Sequence, residues 1–189
     1  MNLTGKTRNV IRVVVAALLV AVCVLYLRWN REQLPHGAVR QQITCINNLK
    51  QIGLAFRTWS MDNGGQFPFN VSTNAGGSRE LCAVGSDGFD AKAPLHFQAL
   101  ANGIEVGTPR LLICPKDRVK KAAPAFSQLN PENLTYRLRT GTNISEFSPN
   151  EVLLVCPIDG NRLHCDGSVA STNKPNAEWP DHAMHIPTP

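Results

Sequence analysis

A helix that has to bury one face constrains this chain more than any other feature. In the stretch Cys45 to Pro68, CINNLKQIGLAFRTWSMDNGGQFP, the residues Ile46, Leu49, Ile52, Phe56 and Trp59 recur at the spacing of one helical stripe, with Gly53 on the same side. Asn47, Asn48, Lys50, Gln51 and Arg57 fall mostly on the other side. Asp62-Asn63-Gly64-Gly65, with Pro68 just beyond, supplies a left-handed stop and a residue that cannot continue the helix. The spacing predicts an amphipathic helix over 38–62, and the rest of the chain has to supply the surface that covers it.

Upstream lies an apolar run, Val13 to Leu27, of 15 residues without a charge. Counting Val10 and Ile11 and letting Arg12 snorkel extends it to 18, near the roughly 20 residues that cross a bilayer core. Val13, Leu18, Leu19, Leu25 and Leu27 are the residues expected to face lipid. The run ends in VLYLRWN, without the small-x-small pattern of a cleaved signal, and Val22 rather than a small residue precedes Cys23. The expectation is an uncleaved membrane helix over 10–29, with residues 1–9 as a basic cytoplasmic start. Pro35-His36-Gly37 reads equally as a linker or as a kink in one long helix.

Charge matters only once it is located. The net +5 comes from Lys6, Arg8, Arg12, Arg28, Arg31 and Arg40 set against Glu32; residues 41–189 carry thirteen charges of each sign. That balance argues against nucleic-acid binding by the head. Downstream of Pro68, residues 70–90 are rich in Gly, Ser, Asn and Thr and read as a surface loop. A short helix is expected over 93–102, with Leu95, Gln98, Ala99 and Asn102 sharing spacing. Strand signals follow in 111–114, 134–138 and 152–156, and Asp166-Gly167 marks a two-residue hairpin turn between 161–165 and 168–172. These form a small antiparallel sheet within 110–172, with a loose tail at 173–189. Leu-Leu-Ile-Cys114-Pro-Lys-Asp117 and Leu-Leu-Val-Cys156-Pro-Ile-Asp159 echo one another, and read as two strands that end alike.

Five cysteines lie beyond Cys23: Cys45, Cys82, Cys114, Cys156 and Cys165. In an oxidising compartment Cys45, on the helix stripe, is the one left free, and Cys82, Cys114, Cys156 and Cys165 are candidates for two disulfides. The local pairs are Cys82 with Cys114 and Cys156 with Cys165, although a two-residue turn at Asp159-Gly160 would set Cys156 opposite Leu163. Zinc frameworks usually show a Cys-x-x-Cys pair; none occurs, and His164-Cys165 and His182-x-x-His185 do not replace it. Residues 86–90 lack the ligand series of a calcium loop. No nucleophile elbow, phosphate loop or dinucleotide fingerprint appears, and His96, His164 and Asp159 form a triad only on paper. No catalysis and no cofactor are expected.

The apolar run, the CINNLKQIGLAFRTWSMDNGGQFP helix, the Cys-Pro-x-Asp ends and the late Asp166-Gly167-Ser168-Val169 together make the chain resemble bacterial type IV pilins and type II secretion pseudopilins. The variety common in Planctomycetes and Verrucomicrobia is the most similar. The resemblance implies an α+β, pilin-like fold: a long N-terminal helix, transmembrane and then amphipathic, packed on a small antiparallel sheet. It also implies a non-catalytic single-pass protein of the bacterial inner membrane, with a periplasmic head at 30–172 that contacts lipid and other pseudopilin or secretion subunits. The alternative is a membrane-anchored binding module or enzyme that uses the Cys and His residues and the 70–90 loop. Gly5 is followed by Lys6-Thr7-Arg8-Asn9 and no acidic residue precedes Glu32, so the leader-cleavage motif of that family is missing.

Overall fold

The structure is a computed structural model that describes residues 5–32 and 36–171, except for the side chains of 5–13, 28–32 and 36. The passage through Pro35 and the tail at 173–189 lie outside the described residues. Contacts divide the chain into two units, Met1–Val39 and Arg40–Pro189.

The first unit holds helix α1, Gly5–Glu32. Leu18, Leu19, Leu25 and Leu27 are exposed on it, and the side chain of Val13 is not among those described. Among the described residues no helix is long and apolar enough to cross a membrane. This overturns the membrane anchor, and with it the single-pass inner-membrane location.

The second unit is organised by α2, His36–Asp62. Leu49, Ile52, Phe56 and Trp59 are buried as the spacing requires, but Ile46 is only half-buried, and Cys45 takes its place on the covered face with no exposure at all. The helix ends where the glycines begin. Gly64 and Gly65 have φ of 62° and 77°, Asn63 Nδ2 donates to the Trp59 carbonyl at 2.8 Å, and the Gly65 N–H donates to that of Ser60 at 2.9 Å.

Four short strands form one antiparallel sheet in the order β1 (Arg137–Leu138), β2 (Val152–Val155), β3 (Arg162–His164), β4 (Val169–Ala170). Strand β2 is irregular between Val152 and Leu154, so Leu154 faces Leu163 while Val152 faces His164. The β3–β4 connection is not a two-residue turn. Gly167 donates to the His164 carbonyl at 3.0 Å, and His164 to that of Ser168 at 2.9 Å, which makes a three-residue loop with Gly167 left-handed at φ 83°. The run 111–114 forms no strand, because Pro109–Leu112 coils into a 3-10 turn.

Helix α2 lies against this sheet at Gly53. A β-carbon there would stand 2.8 Å from Leu163 Cδ1 and 3.3 Å from Gly167 Cα, closer than packed atoms tolerate. The far end of the helix enters an aromatic cluster: Phe56 meets Phe67 at 5.4 Å and Phe97 at 5.8 Å, and Phe69 stands edge-on to His96 at 6.0 Å. Phe97 and His96 come from α3, Ala93–Gly103, whose covered face is Ala93, Pro94, His96, Phe97 and Leu100 rather than the set expected from spacing. The pilin-like plan is therefore corrected. The helix that packs on the sheet is an internal one, and the sheet is only a few residues deep, with much of the unit built from 3-10 turns.

Candidate functional site

Three cysteines and one aspartate converge beneath α2. Cys45 comes from α2, Cys114 follows the 3-10 turn Pro109–Leu112, Cys156 follows β2, and Asp159 lies in the loop to β3. Their ligand atoms all lie within 4.8 Å of one another, and all four residues are buried. Three of the four, Cys114, Cys156 and Asp159, come from the echoed segments. In these segments Leu112, Leu153 and Leu154 are buried in the core, with Leu111 packed partly buried against it, and each segment delivers its cysteine to the same point.

Polar groups surround these four. Asn161 Nδ2 donates to Cys45 Sγ at 3.4 Å, the Tyr136 hydroxyl to the same sulfur at 3.7 Å, and the Asp159 N–H to Cys156 Sγ at 3.4 Å. Lys116 Nζ pairs with Asp159 Oδ1, which leaves Oδ2 turned to the sulfurs, 3.5 Å from Cys114 Sγ. Hydrogen bonds from Cys114 and Cys156, helped by Asn161 and Tyr136, pull the Cys45 thiol below its ordinary value against the cost of burial. The Cys114 thiol is pushed up by its bonding to Cys156 and Cys45 and by burial. At Cys156 the bond with Cys114 favours the thiolate, but the bond to Cys45 and burial outweigh it and raise the group to about 12. Asp159 keeps Lys116 protonated against the cost of burial.

All the described cysteines are free, so the disulfide expectation is corrected. Cys114 and Cys156 converge with Cys45, and the nearest sulfurs stand about 3.6 Å apart, unbonded. Cys82 sits instead beside Asp90 and His96. Cys165 is buried by itself near Glu151, and burial raises its thiol to about 12. Cys45 is thus no leftover thiol but part of the site. The expectation of a purely non-catalytic contact protein is likewise set aside by a buried cluster with this ligand chemistry.

Spacing alone does not reveal the site, because no two of its cysteines are close in sequence. The one short spacing present is Cys156-x-x-Asp159, with oxygen in place of the second sulfur. The Cys-Pro-x-Asp echo is the signal that marks it: two copies of one segment in one small unit bring their cysteines together when both pack their Leu-Leu pairs into one core.

No family model matches this chain, and no curated protein or solved structure is similar to it. The resemblance to pilins and pseudopilins is withdrawn on that finding and on the want of a membrane-spanning helix among the described residues.

Proposed function

We propose that this protein is a metal-binding domain in which Cys45, Cys114, Cys156 and Asp159 hold one zinc-like divalent cation. The observation that carries this is the spacing of the four ligand atoms. An ion about 2.3 Å from sulfur and about 2.1 Å from oxygen, bound tetrahedrally, sets its sulfurs roughly 3.8 Å apart and each sulfur roughly 3.6 Å from the oxygen. Cys114 Sγ and Asp159 Oδ2 stand 3.5 Å apart, and no pair among the four exceeds 4.8 Å. Those separations leave room for one ion. Thiolates select soft and borderline metals, and four ligands with no exposed edge make a closed site, which holds the fold instead of presenting the ion to substrate.

The surroundings suit that role. Three thiolates and a carboxylate around a divalent ion leave two negative charges in excess. Lys116 offsets one, and the Asn161, Tyr136 and Asp159 donors spread the rest over the sulfurs. The cation would also join elements distant in sequence, α2 to the two Cys-Pro segments, and so couple its binding to folding.

Elemental analysis of the purified full chain tests the reading. Zinc that falls by one ion per chain in Cys114→Ser supports it. A zinc content that Cys114→Ser leaves unchanged, whether any is bound or none, refutes it.

A further inference from the structure

A second set of ligand atoms lies beside the aromatic cluster, where Cys82, Asp90 and His96 place one sulfur, one carboxylate oxygen and one imidazole nitrogen within 4.8 Å of one another. We infer that these three residues form a second divalent-cation site, one with a coordination position left open. The inference does not rest on the first site, since the two share no residue.

His96 carries the argument. Its side chain is fully buried on α3, and Nδ1 lies 2.7 Å from Ser78 Oγ, which fixes the ring. The other nitrogen, Nε2, is 3.2 Å from Asp90 Oδ2, an ion-pair distance, and makes no well-formed hydrogen bond to any described residue. The separation of the two atoms is also what ligands of one ion require. At about 2.1 Å from a tetrahedral cation, nitrogen and oxygen stand roughly 3.4 Å apart. A buried nitrogen left without a hydrogen bond is costly, and a cation would satisfy it.

The carboxylate is held for the same task. Asp90 Oδ2 accepts from the Ala83 N–H at 2.9 Å and the Thr140 hydroxyl at 2.7 Å, and Oδ1 accepts from the Lys92 N–H at 2.7 Å. Such outer hydrogen bonds are what orient a ligating carboxylate, as Ser78 orients the imidazole. The backbone beneath them is tight: a β-carbon on Gly77 would meet the Val71 carbonyl oxygen at 2.1 Å. Cys82 completes the set from the exposed side, where its thiol now reaches the Phe69 carbonyl at 3.5 Å and would exchange that contact for the cation. One sulfur, one nitrogen and one oxygen suit a borderline ion of the zinc class. Three protein ligands with an exposed edge leave the fourth position to water, the pattern of a working rather than a structural site.

The test counts zinc bound to the full chain in equilibrium dialysis against micromolar zinc chloride, with Cys82→Ser as the variant. Cys82 lies at the surface, so its replacement leaves the fold in place. Two zinc ions in the wild-type chain and one in Cys82→Ser establish the second site. One zinc ion that Cys82→Ser abolishes also establishes it, while refuting the Cys45 cluster. A count unchanged by Cys82→Ser, whether two, one or none, overturns the inference and leaves the Cys45 cluster to its own test. A second readout needs no variant that touches the core. Alkylation of Cys82, mapped by mass spectrometry, should slow at least tenfold on adding zinc; equal rates with and without zinc count against the site.

Discussion

If one ion ties α2 to the two Cys-Pro segments, removing it should cost a large and calculable share of stability. The perturbation is chelation, compared in two backgrounds, Cys82→Ser and Cys82→Ser with Cys114→Ser, so that the second cluster adds nothing to either. A ligand bound only to the folded chain stabilises by about 4.1 kcal/mol when present at roughly a thousand times its dissociation constant. For a unit the size of Arg40–Pro189, each kcal/mol moves Tm by roughly 2–4 °C, so chelation should lower Tm by roughly 8–16 °C. In the Cys114→Ser background the starting Tm is already lower, because a buried sulfur has been replaced by a hydroxyl, but chelator should add nothing further. The assay is a thermal melt with and without a strong zinc chelator, and the quantity read is the chelator increment. An increment below about 2 °C with Cys114 in place, or one that survives Cys114→Ser, would show that the sulfurs meet for packing alone.

Other changes probe the frame around the site. Gly53→Val should destabilise by about 1–3 kcal/mol in urea unfolding, because the new side chain overlaps Leu163 and the Gly167 backbone, both fixed by the hairpin. Asn161→Ala removes the 3.4 Å donor to Cys45 Sγ and should weaken zinc affinity by roughly 10–100-fold in a competition titration, with the fold retained by circular dichroism. Asp166 is held below the usual carboxylate range, first by the Ser168 hydroxyl and, against burial, by the Ser168 N–H. Its contribution is therefore present above the unfolded value of about 3.9 and is lost as pH falls through the folded one. Asp166→Asn should be less stable than wild type at neutral pH, and the gap should close below about pH 4 in a urea series.

The stripe of α2 is legible in the sequence because helical periodicity is local: Leu49, Ile52, Phe56 and Trp59 are covered as their spacing demands, and Gly64 and Gly65 end the helix. The sheet is only partly legible. Val152–Val155 and Arg162–His164 pair, but the irregularity at Val152–Leu154 and the loop after Cys156 move that cysteine away from Leu163; the Cys156 N–H donates to the Asn161 carbonyl instead, at 2.8 Å. Register of this kind depends on a bulge that no periodicity marks. The N-terminal run is a different case: its hydropathy predicts a membrane helix, and among the described residues no helix is long and apolar enough to cross one.

The candidate site is legible only in hindsight, and the echoed segments show why. Both end in Cys-Pro-x-Asp, yet only one aspartate joins the cluster. Asp117 accepts from the Val119 and Lys120 N–H groups at 2.9 and 3.0 Å and from the Thr135 hydroxyl at 2.7 Å, bonds that close its own turn, and it is not among the grouped ligand atoms. Asp159 sits in a turn that closes differently, through Gly160 N–H to the Cys156 carbonyl at 2.9 Å, which frees its carboxylate for Lys116 and the sulfurs. Identical residues at identical spacing thus take different roles because Gly160, left-handed at φ 69°, occupies the position where the first segment has Arg118. Exchanging those two residues tests the point directly. Gly160→Arg should impose strain at a left-handed position, turn Asp159 away from the sulfurs and lower zinc occupancy, whereas Arg118→Gly should leave occupancy unchanged. Zinc retained in full by Gly160→Arg would mean that the ligand oxygen is not placed by that turn.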